Sequence, residues 1–228
     1  MTLNSFLTSV LKILAVAFAI MMVKINVNTD SKDFITTVMD RRSIYSISKD
    51  IQVSDTKIQE IVELGIKYAP SPYNSQTIRA IILFKEHHEK FWAITTEILR
   101  AKVPPERLAS TEAKMKAFGQ GYGTILFFED TAAIKELQEK YNNYADELLI
   151  HTQHSAGIVQ FIVWAGLESV GLGASLQHYN PLVDKAVQKE WNVPTNWKLI
   201  AQMPFGQPLQ PPTKKEFQPV NERIKVFN

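Results

Sequence analysis

Apolar positions at Phe34, Ile35, Val38 and Met39 recur at helical spacing, with Ser31 a plausible N-cap and an end expected near Ser43. Ile58, Ile61, Val62 and Ile66 repeat the pattern after Ser54, a second capping residue, and Pro70 closes it. "APSPYNSQ" (69–76) breaks the periodicity with two prolines and small polar residues, so it is a loop. "IRAIILF" (78–84) and "GTILFFED" (123–130) are short, β-rich apolar runs and predict strands. Between them, 86–100 and 106–118 are helical, parted by Pro104-Pro105. Helices are expected at 131–149 and 152–170, the second apolar nearly all round, as in a protein centre or a large subunit interface. A loop or short strand (173–181), a short helix (181–190), a strand "WKLIAQMPFG" (197–206) and an extended Pro-rich tail complete the chain. This mixture of helices and strands predicts an α+β layer fold.

Phe6 to Val23 stands apart as an apolar stretch just short of a membrane span, with Lys12 inside it. No basic residue precedes Lys12, unlike a secretory signal. Three readings fit residues 1–28: a membrane anchor, a helix packed on the body or a partner, or a true start at Met21 or Met22. The domain proper is expected at 29–228.

Composition narrows the chemistry. The 228 residues carry 45% hydrophobic and 21% charged side chains, which excludes wholesale disorder. The net charge of +2 argues against nucleic-acid binding by bulk electrostatics. The absence of cysteine removes disulfides, thiolate metal sites and Cys nucleophiles, and fits a cytoplasmic protein. No phosphate-loop, dinucleotide-fingerprint, zinc-protease or nucleophile-elbow motif is present. "GQGYG" (119–123) precedes a strand instead of following one. His151 and His154 share a helix face but lack a carboxylate to complete a metal site. His87-His88 reads as a solvated turn. No metal ligands are assigned.

"MDRRSIY" raises two possibilities. Arg41 and Arg42 could offset a helix dipole, or could grip an anion with Ser43 as a third donor. Asn74 and Gln76 offer amides that donate and accept, and Lys214-Lys215 adds charge in the tail. Together these groups suit a polyol phosphate bearing a heteroaromatic ring.

"RRSIY", "APSPYNSQ", "GYGTILFFED", "GLGASLQHYNP" and "PFGQP…KKEFQP" together resemble the FMN-dependent nitroreductase family, in particular the fungal and bacterial branch related to the fatty-acid-repression nitroreductases. The resemblance runs from about Asp33 to the C-terminus. It implies a nitroreductase-like fold with a central mixed, mostly antiparallel sheet flanked by helices. It also implies a homodimer that exchanges its C-terminal segments and holds two FMN sites at its interface. Position by position, Arg41 and Ser43 match residues at the FMN phosphate and ribityl end, with Arg42 close by. Asn74 and Gln76 match contacts to the ribityl chain and the flavin's polar edge, Gln177 and His178 match backbone N–H groups facing the flavin N5 side, and Lys215 matches a tail lysine near the phosphate.

Two positions depart from the family pattern. Phe217 stands where relatives carry an arginine, and Tyr45 where many carry a basic residue at the flavin's pyrimidine end. Lys114 and Lys116 are the alternative suppliers of that charge. The implied activity is hydride passage from NADH or NADPH through FMN to a small electron-poor aromatic acceptor, a nitroaromatic or quinone, by a ping-pong mechanism in one pocket. No side chain is required as an acid or base, so no catalytic residue is named. The alternative is a flavin-binding redox sensor or regulatory protein with incidental turnover. No nucleic-acid partner is expected, and membrane contact only through residues 6–23.

Overall fold

In a computed structural model, residues 32–227 are described. The expected features at Ser31 and in 1–28, including the boundary at 29, lie outside them. The compact unit that carries the fold starts at Asp33.

The chain runs α1 (Phe34–Asp40), β1 (Ile47–Ser48), α2 (Asp55–Tyr68), β2 (Ile78–Phe84), α3 (Lys85–Arg100), α4 (Pro105–Gly119), β3 (Gly123–Asp130), α5 (Thr131–Lys140), α6 (Ala145–Ser169), β4 (Gly173–Ala174), α7 (Asp184–Trp191) and β5 (Trp197–Pro208). Both early strands lie where their apolar runs predicted. The sheet order is β1-β5-β3-β2, with β4 also on β5, and every named strand pair is antiparallel. The parallel component is the isolated bridge between Ser43 and Ala174.

β3 is central and buried along its whole length, so its alternating side chains feed two cores. Ile125 and Phe127 join Ile58, Ile61 and Val62 of α2 with Val159, Val163 and Leu167 of α6. Leu126 and Phe128 join Phe91 and Trp92 of α3, Phe118 of α4 and Val187 of α7. The sheet is therefore covered by helices on both faces, as the α+β reading requires.

Several expectations change. The side chain of Asp33 caps α1, accepting from the amides of Ile35 and Thr36. The helix ends at Asp40, before Ser43, and its apolar stripe is exposed within one chain, with Phe34 at 70% and Met39 at 68%. The break expected near 150 falls at Tyr141–Tyr144, where Asn142 and Asn143 favour a tight turn over helix. α6 consequently runs 25 residues, about 37 Å. The short helix starts at Asp184 instead of 181.

His88 is not in a solvated turn. It sits on α3, fully buried, with Nδ1 2.8 Å from Thr124 Oγ1. Trp92 Nε1 donates to the same oxygen at 2.9 Å.

Candidate functional site

α1 stops because Arg41 leaves helical geometry, its N–H closing the last turn on Thr37 O at 2.9 Å. The next residues become extended and pair with β4: Ser43 bridges Ala174, and Ile44 N–H donates to Ala174 O at 2.9 Å. Gly173 permits this approach, since a Cβ there would stand 2.9 Å from Cβ of Ile44. The "RRS" segment thus begins as the C-cap of α1 and is then fixed by pairing with β4.

The two arginines then do different things. The Arg41 guanidinium lies 4.4 Å from the ring centroid of Trp164, a residue of α6. Burial, with the charge of Arg42 beside it, draws its pKa below the usual arginine value against the pull of Glu168. It makes no ion pair with a carboxylate among the described residues. Arg42 turns to the tail, donating from Nη2 to Thr213 O at 2.7 Å. That tether holds Lys215 within two residues, at most about 7 Å of chain, of the Arg42 head group. Leu209 N–H adds a second tie, to Ser46 O at 3.0 Å. The tail that carries Lys214 and Lys215 is therefore tied to the segment that carries Arg41 and Ser43, and Arg42 is engaged in holding it.

Beyond β4 the chain returns along β5. Gln177 N–H donates to Gln202 O at 2.7 Å, and Gln177 O accepts from Gln202 N–H at 2.9 Å. Tyr179 N–H donates to Gln202 Oε1 at 2.7 Å. Alternation turns the intervening His178 N–H the other way, and it donates to no protein group among the described residues. The expectation for this pair is corrected on Gln177. Its backbone N–H is spent on the sheet and its side chain is buried on Ser175 Oγ, leaving His178 with the free N–H.

Asn74 and Gln76 stand elsewhere. Their loop has three non-glycine residues in the left-handed region, Tyr73 (φ 52°), Asn74 (φ 53°) and Gln76 (φ 48°). Such a conformation costs on the order of 1–3 kcal/mol per residue and persists only where the surroundings enforce it. Here Ser71 Oγ accepts from Gln76 N–H at 3.0 Å, and Arg79 Nη1 donates to Gln76 O at 2.6 Å. The Tyr73 ring stacks on Tyr141, centroids 3.9 Å apart. The result exposes both amide side chains. Beneath them Thr77 is buried, its hydroxyl without a partner, in a cavity of about 100 Å³ that Ser155 and Val159 of α6 also line. This cavity is below the roughly 300 Å³ of small-ligand sites.

Arg41 meets α6 at position 164, whereas the loop meets it at 155 and 159. Five to nine helical residues place the two clusters roughly 7–14 Å apart along one chain.

Tyr45 packs near Phe118, ring centroids 6.4 Å apart, and Lys114 Nζ lies 5.7 Å from the same Phe118 ring. Lys116, about 200° further round α4, lines an open groove between α3 and α4 instead. Of the two alternatives, Lys114 is on the side of Tyr45. Sequence reasoning did not single out Trp164 or Arg79, whose roles depend on contacts distant in sequence. His151 and His154 have ring centroids 6.0 Å apart, and no group of three metal-ligand side chains forms among the described residues. No helix there is long and apolar enough to cross a membrane.

Residues 38–207 match the model of the Nitroreductase family. Among relatives, HBN1 of Saccharomyces cerevisiae is 31% identical over 197 residues, spanning 86% of this chain and 97% of that protein. The nitroreductase FRM2 of the same yeast is 29% identical over 201 residues, with 86% and 97% covered. Among solved structures, nitroreductase CinD of Lactococcus lactis, determined with chloramphenicol and with 4-nitrophenol, is 39% identical with a TM-score of 0.79 over 86% of this chain and all of that one. An Exiguobacterium sibiricum protein solved with FMN is 15% identical with a TM-score of 0.66 over 87% and 99%, a likeness of fold alone.

Proposed function

The chain belongs to the nitroreductase family, and from that premise we propose that it is an FMN-dependent NAD(P)H oxidoreductase acting on small electron-poor aromatics. The observation that carries the reading is the hydrogen bond from Arg42 to Thr213 O, which ties the tail bearing Lys215 to the "RRS" segment bearing Arg41 and Ser43. FMN, when bound, would supply the redox chemistry, taking a hydride from NADH or NADPH and giving it to the acceptor in a ping-pong cycle.

The residues present fit that group. Arg41 and Ser43 hold the phosphate, with Lys215 adding charge from the tail. Trp164 fixes the Arg41 guanidinium, so little side-chain freedom is lost on binding. Asn74 and Gln76 present amides matched to hydroxyls and ring carbonyls. The His178 N–H is a preorganised donor, set by the Gln202 bonds on either side. Lys114 is the cation for the pyrimidine end, where Tyr45 is neutral.

In keeping with the family resemblance, we assign the complete site to a homodimer in which both chains contribute. The exposed apolar face of α6, with Ile158 and Phe161, and that of α1 support this assembly. The nitroaromatic ligands of CinD support nitroarenes as acceptors here, with quinones as the further class. An absorption spectrum of the purified protein, followed by anaerobic titration with NADH and then a nitroarene, tests the reading. A flavin band bleached by NADH and restored by the nitroarene is expected; a colourless protein that cannot be reconstituted with FMN would overturn it.

A further inference from the structure

The strained loop 71–76 is held from an unexpected direction. Arg79 spans two acceptors, donating from Nη1 to Gln76 O at 2.6 Å and from Nη2 to Asp130 Oδ2 at 2.8 Å. Asp130 is itself fixed. As the N-cap of α5, its other oxygen accepts from the amides of Ala132 and Ala133 and from Asn196 Nδ2 at 2.7 Å. Burial raises its pKa, but these donors and Arg79 outweigh burial and keep the carboxylate ionised. The opposite end of α5 carries Tyr141 as C-cap, and Tyr141 bears the stacked Tyr73. The two cap residues of one ten-residue helix, about 15 Å apart, thus grip the two flanks of the loop that displays Asn74 and Gln76.

We infer that Arg79 is a positioning residue for cofactor binding, with α5 as a strut that presets the Asn74 and Gln76 amides before FMN arrives. The inference rests on the reading of those amides as flavin ligands. Without the clamp, Tyr73, Asn74 and Gln76 relax toward ordinary backbone conformations, and binding must reorder them. Arg79 touches neither cofactor nor substrate in this scheme and acts through the Gln76 carbonyl. A lysine in its place supplies one point charge and cannot span Gln76 O and Asp130 as a planar fork does.

The test uses the full chain, stripped of flavin, and the variants Arg79→Met, Arg79→Lys, Tyr141→Ala and Tyr141→Phe. FMN affinity is read from quenching of flavin fluorescence, and apo-protein melting is recorded in parallel. Arg79→Met is expected to weaken FMN binding tenfold or more, with Arg79→Lys recovering only part. Tyr141→Ala should weaken it as well, while Tyr141→Phe, which keeps the stack, binds like wild type. A purely structural role would lower the melting temperature and leave the affinity of the folded protein unchanged. Arg79→Met binding FMN within twofold of wild type would overturn the inference while leaving the proposed function standing. Wild type that binds no FMN would take down both. Should Arg79→Met not fold, the Tyr141 pair decides, and equal affinity of its two members overturns the strut.

Discussion

Arg41 and Arg42 are neighbours of the same type, yet their surroundings give them different tasks. Arg41, stacked on Trp164, keeps its charge available, whereas Arg42 is bound to Thr213 O. Arg41→Ala is therefore expected to weaken FMN binding by roughly 1.5–3 kcal/mol, about 10- to 150-fold, the range for a charge-assisted contact. Arg42→Ala should act less strongly, through a loosened tail. Fluorescence titration of both variants checks the order, and a larger loss for Arg42→Ala reverses the assignment. His88 is a second residue whose behaviour follows from its place. Burial pushes its pKa down to about 4, from an ordinary value of 6.5. Between those limits the unfolded chain takes up a proton that the folded chain refuses. Its contribution is thus fully present above pH 6.5 and declines as pH falls toward 4, by roughly 3 kcal/mol in total. The urea midpoint of wild type should fall over this window more steeply than that of His88→Gln; parallel profiles would remove His88 from the cause. Arg41, Ser43 and the amides were legible as residue types, because a phosphate and a polyol need cations and mixed donors. The spent N–H of Gln177 and the burial of His88 were not, since each depends on a partner 25 or more residues away.

At the scale of elements, the close contact of α2 with α6 rests on two glycines. A Cβ at Gly65 would stand 2.7 Å from Val163 Cγ2, and one at Gly166 would stand 2.6 Å from Ile61 Cγ2. Both opposing groups are β-branched and stiff, so neither turns aside easily. Overpacking costs about 1–3 kcal/mol, against a gain of about 1 kcal/mol in helix propensity. Gly65→Ala and Gly166→Ala are each expected to lower the urea midpoint despite replacing a poor helix former. An unchanged or higher midpoint in both would mean that the helices separate at little cost. Strand limits at 78–84 and 123–130 were readable because apolar runs end at sharp compositional edges. The break between α5 and α6 was missed, because Asn142-Asn143 is only a weak mark against helical periodicity on both sides. The short helix also starts later than the chain pattern suggests.

For the whole molecule, the exposed apolar faces of α6 and α1 lead to one expectation. Phe161→Asp, on the exposed face of α6 between the positions that meet Arg41 and the amide loop, should shift the protein from the proposed dimer to a single chain in analytical ultracentrifugation and weaken FMN binding in parallel. A Phe161→Asp dimer of unchanged affinity would place the interface elsewhere. The sequence by itself determined the fold class, most element positions, the family and the residue types from which a phosphate and polyol site is proposed. Those properties reside in local periodicity and in motifs that keep their order along the chain. The tertiary structure decided which of two adjacent arginines is free, which of two adjacent backbone N–H groups points outward and which of two lysines shares a side with Tyr45. It also decided that α5 holds the amide loop at both ends. Each of these depends on which distant residue occupies the neighbouring space, and hydrogen-bond direction and helix phase are set by that neighbour, which no local pattern records.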